Sequence, residues 1–445
     1  QGLPRQRLRI LSRTRGIYDH YDQNVTTFVL WIRFGNMLRT LCLLCLILAC
    51  SARINKMERI MKAFEQIERN QTLAKALEEH YMAFEEAYAR DRQEEGKRAI
   101  THGTSFSCHN GHLPLEEGTT SVHKLEPWDV NVVAAMGDSL TAGNGILATN
   151  ILGALVEYRG RSWSIGGDLS LDQDVQTLPN ILRMYNPNLR GYSTDYCASN
   201  GYCANLNVAS PGDTSIEMPG QADELIARLK SWPGVNFNND WKVITLFIGG
   251  NDLCDYCNDP GLYSPENYIS RIRTALDKLH AQVPRAFVNL VEIFDITPVA
   301  SLSTPTWGLL ICNTVTNMVC SCGKDLSQHP TLQWVASQYQ RKTEELIVSG
   351  RYDTRSDFTV VLQPFFKSTS PPLKSDGKPD LSFFSPDCFH FSAKGQYAAG
   401  RSLWNNMIEP IGQKSEVWHL YESFQCPQTH GHTHPYFATS KNANL

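Results

Sequence analysis

Short polar and glycine-rich stretches of this chain combine the residue types that serine-based acyl transfer requires. The first, "GDSL", places Ser139 directly after the apolar run of residues 130–136. A serine hydroxyl becomes a nucleophile only where a base removes its proton and donors stabilise the oxyanion that forms. The stretch "SPDCFHFSAKG" supplies a candidate base, His390, three residues after Asp387, whose carboxylate can orient the imidazole. A helix cap beside a surface histidine is the other interpretation of this spacing.

Two further stretches supply candidate oxyanion donors. "NVASPGDTS" contains Gly212, and "LFIGGNDLC" contains Gly249, Gly250 and Asn251. A glycine lets backbone amides approach a ligand closely, and an asparagine side chain can donate to a developing negative charge. Each stretch alone also fits an ordinary tight turn. All four stretches follow predicted strands, and the carboxyl ends of parallel strands converge at one sheet edge, so the set indicates a single site.

The elements that must position these residues alternate along the chain. Nearly continuous apolar runs, typical of buried strands, occupy residues 130–136, 204–209, 243–248, 286–294 and 358–364. Helical patterns lie between and after them, at residues 221–230, 265–282, 332–348 and 393–408. This alternation predicts an α/β fold with a parallel sheet covered by helices on both faces.

Together, "GDSL", Gly212, "GGND" and Asp-x-x-His resemble the motifs of the GDSL esterases, also called SGNH hydrolases. "GDSLTAGNG", "EYRGRSWSIGGD", "TLPNIL", "FIGGNDLCDYC", "GRYD", "DFTVVLQPF" and "PDCFHFSAKGQ" are similar to the phospholipase B branch of that family, over residues 125–415. The resemblance implies a three-layer α/β/α, flavodoxin-like fold with a mainly parallel five-stranded sheet. We expect this domain to span residues 125–420 and to be followed by an irregular tail, residues 421–445.

The resemblance also implies a role for each site residue. Ser139 would be the nucleophile, His390 the base and Asp387 its orienting acid, while the Ser139 and Gly212 amides and the Asn251 side chain would form the oxyanion hole. The expected activity is hydrolysis of acyl esters of phospholipids and lysophospholipids through an acyl-serine, without cofactor or metal. An esterase for non-lipid acyl groups and a catalytically silent secreted binding protein are the alternatives. The absence of G-x-S-x-G disfavours an ordinary α/β-hydrolase.

The stretch "EYRGRSWSIGGD" follows the nucleophile region and offers candidate substrate contacts. Tyr158 and Trp163 carry aromatic surface, and Arg159 and Arg161 carry positive charge. The aromatic side chains would contact the acyl chain of a phospholipid ester, and the arginines would bind its phosphate. A core tryptophan flanked by solvated arginines is the alternative interpretation.

The amino-terminal part has the features of a secretory leader. Residues 37–52, "MLRTLCLLCLILACSA", resemble a signal peptide whose apolar core is too short to span a bilayer. We expect translation to start at Met37, with residues 1–36 a mis-predicted upstream segment; a signal anchor is the alternative. Residues 53–124 read as a helical extension or prosegment followed by a linker, and Asn70 begins a glycosylation sequon.

The cysteines indicate an oxidising compartment. Removal of residues 37–52 would leave ten of the thirteen cysteines, an even number. The expected pairs are Cys197 with Cys203, Cys254 with Cys257, and pairs among Cys312, Cys320 and Cys322. The Cys254-x-x-Cys257 spacing also occurs in redox sites and half zinc sites, but no second C-x-x-C lies outside the predicted signal peptide.

Composition narrows the class of protein further. A net charge of −4 over 445 residues gives no basic surface of the kind that nucleic-acid binding requires. His430, His432 and His434 could bind a metal adventitiously, although a disordered tail is the simpler interpretation. Membrane-bound relatives in the resembling branch carry tandem copies and a carboxyl-terminal anchor, which are not evident here. We therefore expect a secreted, soluble protein that contacts a membrane or micelle surface transiently.

Overall fold

Four parallel strands form the centre of the fold in the computed structural model, which describes Phe106, Cys108 and residues 118–149, 153–302, 319–427 and 436–442. They are β1 (Val130–Gly137), β2 (Trp241–Phe247), β3 (Ala286–Val291) and β4 (Phe358–Gln363), in that spatial order. Every residue of β2 and β3 is buried, so both faces of these strands are covered, unlike those of a half-exposed sheet.

Helices follow the strands and cover the sheet. The described residues contain α1 (Ser139–Ala142), α2 (Leu178–Arg183), α3 (Met218–Ser231), α4 (Gly250–Asp255), α5 (Pro265–Gln282), α6 (Thr297–Ala300), α7 (Ser321–Lys324), α8 (His329–Val348) and α9 (Ala393–Ile408). Helix α5 packs between α3 and α8, whereas α2 packs on α9. The predicted α/β fold is confirmed, and the predicted bounds of α5 and α9 agree with the structure.

The predicted strand at residues 204–209 requires a correction. It forms a single parallel bridge to β1, with Ala135 bonded to Leu206 and Val208, and the sheet of the described residues has four strands where five were expected. The outer edge of β1 is shared, because the amide of Val133 donates instead to the carbonyl of Arg190 at 2.9 Å. Residues 204–209 thus occupy the fifth strand position without a continuous ladder.

Of the disulfides between described residues, one is local, and three others join segments that lie far apart in the sequence. Cys197 bonds Cys203, as predicted. The predicted Cys254–Cys257 pair is wrong, because Cys254 bonds Cys320 and Cys257 bonds Cys322. Helix α4 packs on α7, which brings the two cysteine pairs side by side, and spacing alone could not reveal that contact. A further bond joins Cys108 to Cys426.

Several sequence-based predictions concern residues outside the described part. These are the signal peptide at residues 37–52, the helical extension that follows it, Asn70, Cys312 and the three tail histidines. Among the helices that the structure describes, none combines the length and apolarity needed to cross a bilayer. Within the same residues, no three histidine, cysteine or acidic side chains are grouped to hold a metal ion.

Candidate active site

The end of β1 places Ser139 at the sheet edge. Gly137 is the last residue of the strand, and a Cβ atom there would lie 2.4 Å from the carbonyl oxygen of Phe247 and 2.7 Å from Oγ1 of Thr141. Asp138 then caps α1, accepting a hydrogen bond from the amide of Leu140 at 2.9 Å. The glycine therefore permits close strand packing, and the cap turns the chain so that Ser139 begins the helix.

Ser139, His390 and Asp387 form one hydrogen-bonded series. His390 Nε2 lies 2.8 Å from Ser139 Oγ, and His390 Nδ1 lies 2.5 Å from Asp387 Oδ2. All three residues are buried, with 7%, 9% and 1% of their surfaces exposed, respectively. This arrangement allows the carboxylate to orient the imidazole while the opposite ring nitrogen faces the hydroxyl, which is the geometry of an activated serine.

The environment of Asp387 favours its charged form. Burial opposes ionisation, but interaction with His390 and two backbone hydrogen bonds lower the pKa of the carboxyl group below its ordinary value. The second carboxylate oxygen accepts from the amides of Phe389 and His390, both at 3.0 Å. Asp387 is therefore a carboxylate at neutral pH and can stabilise an imidazolium when His390 takes up a proton.

The loop that carries Asp387 and His390 is closed by its own hydrogen bonds. Phe384 and Phe391 form an isolated antiparallel bridge, and the amide of Ser385 donates to the carbonyl of His390 at 2.7 Å. Phe391 also packs on Phe366 and Trp418, so the loop contacts the segments that follow β4 and α9. The imidazole is consequently held by backbone and aromatic contacts as well as by Asp387.

Gly212 and Asn251 lie at the ends of the neighbouring segments. Gly212 has a φ of +80°, a left-handed conformation that favours glycine, and the amide of Ser210 donates to the carbonyl of Gly137 at 3.2 Å. Asn251 belongs to the first turn of α4, and its Nδ2 atom donates to the carbonyl of Asp213 at 2.8 Å. The sheet edge thus brings together the turn that carries Ser139, residues 210–213 and the start of α4.

Two buried side chains that the sequence analysis did not single out connect these turns. Asp252 accepts hydrogen bonds from the amide and hydroxyl of Ser215, at 2.9 and 2.5 Å, and burial raises its pKa to about 6. Gln221 of α3 bonds both Gly137 and Asp213. Asp252 could have been suspected from its place in "GGND"; Gln221 had no local signal, since it lies 84 residues from Gly137.

The four predicted substrate contacts lie in the interior, which corrects that interpretation. Tyr158, Arg159, Arg161 and Trp163 are each at most 2% exposed. The Arg159 guanidinium donates to the carbonyls of Cys197, Asn207 and Ala209 and to Glu157.

Arg161 donates to the Tyr397 hydroxyl, and Trp163 packs on Phe247, Phe365 and Phe366. Because the donors of Arg159 already serve the backbone that leads into the Gly212 turn, this arginine supports the site from within and presents no charge to a phosphate.

The chain is similar to known lipases over most of its length. Residues 133–403 match the profile of the GDSL-like lipase/acylhydrolase family. The chain is 43% identical over 367 residues to the membrane-associated phospholipase B1 of Rattus norvegicus, covering 80% of this chain and 25% of that protein. The corresponding human protein is 45% identical over 357 residues, covering 78% and 24%. The chain thus spans about a quarter of the length of these relatives.

A solved structure, the phospholipase A1 of Streptomyces albidoflavus NA297, is 16% identical, with a TM-score of 0.28 over 60% of this chain and 94% of that one.

Proposed function

Because this chain belongs to the GDSL-like lipase and acylhydrolase family, we propose that it is a serine esterase that hydrolyses acyl ester bonds of phospholipids and lysophospholipids. The observation that carries the proposal is the series from Ser139 through His390 to Asp387, with distances of 2.8 and 2.5 Å. The similarity to phospholipase B1 supports the substrate class.

The proposed reaction proceeds in two acyl-transfer steps. Ser139 Oγ attacks the ester carbonyl carbon while His390 Nε2 takes the hydroxyl proton. Collapse of the tetrahedral intermediate breaks the bond to the glycerol oxygen, which leaves with that proton as an alcohol. A water molecule, deprotonated by the same imidazole, then attacks the acyl-serine and releases the fatty acid. Ser139 recovers its proton, and Asp387 stays ionised throughout.

The oxyanion of both intermediates is assigned three donors in this proposal. These are the backbone amides of Ser139 and Gly212 and the Nδ2 atom of Asn251. Support comes from their convergence: the turn containing Gly212 is bonded to the end of β1, and Asn251 is bonded to Asp213, the next residue of that turn. Donors fixed by the fold need no reorganisation when charge develops on the substrate, which is why such sites accelerate acyl transfer.

We also propose that the protein is secreted and meets its substrate at a membrane or micelle surface. The disulfides Cys108–Cys426, Cys197–Cys203, Cys254–Cys320 and Cys257–Cys322 support an oxidising compartment. In this proposal residues 37–52 act as the signal peptide, Asn70 is glycosylated, and residues 125–420 form the catalytic domain.

Labelling with a fluorophosphonate, followed by product analysis, tests this function. The folded protein should form an adduct on Ser139 that is lost in Ser139→Ala, and it should release fatty acid from phosphatidylcholine and lysophosphatidylcholine. If the protein hydrolysed acetylated sugars or triglycerides but not phospholipids, the proposed substrate class would be wrong. Absence of an adduct in folded protein would contradict the enzyme proposal and favour a binding protein.

A further inference from the structure

We propose that Gln221 is a positioning residue that fixes the oxyanion hole, by joining the end of β1 to the turn that contains Gly212. The inference rests on the proposed function, since it assigns a task to a side chain that does not touch the reacting atoms. Gln221 lies on α3 and is 5% exposed. Its amide group contacts the last residue of β1, two positions before Ser139, and the residue that follows Gly212.

The first contact is with the last residue of β1. The Oε1 atom of Gln221 accepts from the amide of Gly137 at 2.8 Å, and its Nε2 atom donates to the carbonyl of Gly137 at 2.8 Å. This pair of bonds uses both backbone polar groups of a residue that precedes Ser139 by two positions. The side-chain amide therefore bonds Gly137 as the backbone of a neighbouring strand would. These bonds fix the direction in which the chain enters the turn that carries Ser139.

The second contact is with the neighbouring turn. The same Nε2 atom donates to Asp213 Oδ2 at 2.8 Å, and the carbonyl of Asp213 accepts from Asn251 Nδ2 at 2.8 Å. Gln221 is thus connected to the residue after Gly212 and, through one further bond, to Asn251. A shift of this amide would move the turn that carries Gly212, and with it the Asp213 carbonyl to which Asn251 is bonded, relative to Ser139.

Only a primary amide satisfies these partners. The amide of Gly137 needs an acceptor, while the Gly137 carbonyl and the Asp213 carboxylate both need donors, and these needs also fix which side-chain atom is nitrogen. Rigid support comes from α3, where Ala222, Leu225 and Leu229 are fully buried. A leucine would remove all three bonds, and a glutamate would keep the acceptor but place a second carboxylate against Asp213.

The experiment compares Gln221→Leu and Gln221→Glu with the parent on 4-nitrophenyl butyrate and lysophosphatidylcholine. Gln363→Leu is the matched control, because Gln363 is a buried glutamine on β4, the strand at the opposite side of the sheet from β1, and its side-chain amide donates to Asn289. We expect both Gln221 variants to lose about 10- to 100-fold in kcat with KM within about twofold, as for a displaced catalytic geometry. The control should lose thermal stability and keep its kcat per active site, measured by fluorophosphonate titration.

The glutamate variant adds a signature that a purely structural role would not give. Burial and the facing Asp213 carboxylate raise the pKa of a carboxyl group placed there, and its protonated form regains a donor. Its kcat relative to the parent should therefore rise as the pH is lowered from 8 to 5, whereas that ratio should stay flat for Gln363→Leu. If Gln221→Leu fails to fold, the pH dependence of kcat in Gln221→Glu still tests the positioning role.

Two outcomes would overturn the inference. Gln221 variants that turn over both esters at the parental rate would remove the positioning role while the proposed function stands. A parent protein that turns over no ester would overturn the proposed function, and the inference would fall with it.

Discussion

The Nε2 atom of His390 lies 2.8 Å from the Oγ atom of Ser139, although the two residues are 251 positions apart in the sequence. Ser139 begins α1, just after β1, and His390 lies in the loop before α9, the last described helix. In the proposed reaction this contact gives the serine a base, and the bond from the other ring nitrogen to Asp387 orients that base.

Removing the base should cost more than neutralising the acid. We expect His390→Ala to lower kcat by about 10⁶-fold and Asp387→Asn by about 10⁴-fold, because the imidazole moves the proton while the carboxylate orients and stabilises it. Steady-state kinetics after active-site titration measure both. Equal losses would indicate a second role for Asp387, and full activity in Asp387→Asn would mean that another group orients His390.

Asn251→Ala should lower kcat by about 100- to 1000-fold, roughly 3 to 4 kcal/mol of transition-state stabilisation, with little change in KM. A donor aimed at the oxyanion contributes mainly after Ser139 has attacked the carbonyl carbon. The lost bond to Asp213 adds a stability cost of about 1 kcal/mol, to be measured by thermal melting. If the variant has a slightly lower melting temperature but a kcat within a few-fold of that of the parent, Asn251 has only a structural role in the turn.

The substitution Arg159→Lys tests whether Arg159 supports the site from the interior or binds a phospholipid headgroup. The lysine cannot reproduce the hydrogen bonds of Arg159 to the Cys197, Asn207 and Ala209 carbonyls, so we expect a loss of about 3 kcal/mol in the free energy of unfolding. Any loss of kcat should be equal for lysophosphatidylcholine and for the uncharged 4-nitrophenyl butyrate. A rise in KM confined to the phospholipid would restore the phosphate-binding interpretation. Arg341→Lys, an exposed change on α8, is the control.

Asp252 should make the stability of the protein depend on pH in the weakly acidic range. Burial raises its pKa from 3.8 to about 6, so the folded chain binds the proton more tightly than the unfolded chain. The free energy of unfolding should therefore fall as the pH rises from about 4 to about 6, by up to about 3 kcal/mol from this group.

Denaturant unfolding of the parent and of Asp252→Asn, measured at several pH values, isolates this contribution. The difference between the two proteins should change across that range and level off above it, because the asparagine does not titrate. A constant difference from pH 4 to pH 7 would show that the pKa of Asp252 is the same in the folded and unfolded chains.

The sequence by itself determined the α/β fold class, the bounds of α5 and α9, and the residues proposed for catalysis. These features are encoded locally. A buried strand of a parallel sheet is a continuous apolar run, and an amphipathic helix repeats its apolar positions with a period of 3.6 residues. Ser139, Gly212, Asn251 and His390 could be singled out because each follows such an element within a few residues or stands in a short motif.

Only the tertiary structure decided which distant groups meet. It paired Cys254 with Cys320 instead of Cys257, divided the outer edge of β1 between two segments, and buried Arg159 against backbone carbonyls. It also brought Gln221 to Gly137 and Asp213. Spacing along a chain constrains neighbours within a turn or a strand, whereas these contacts depend on how helices pack on a sheet. Packing is a property of the whole chain, and no local pattern carries it.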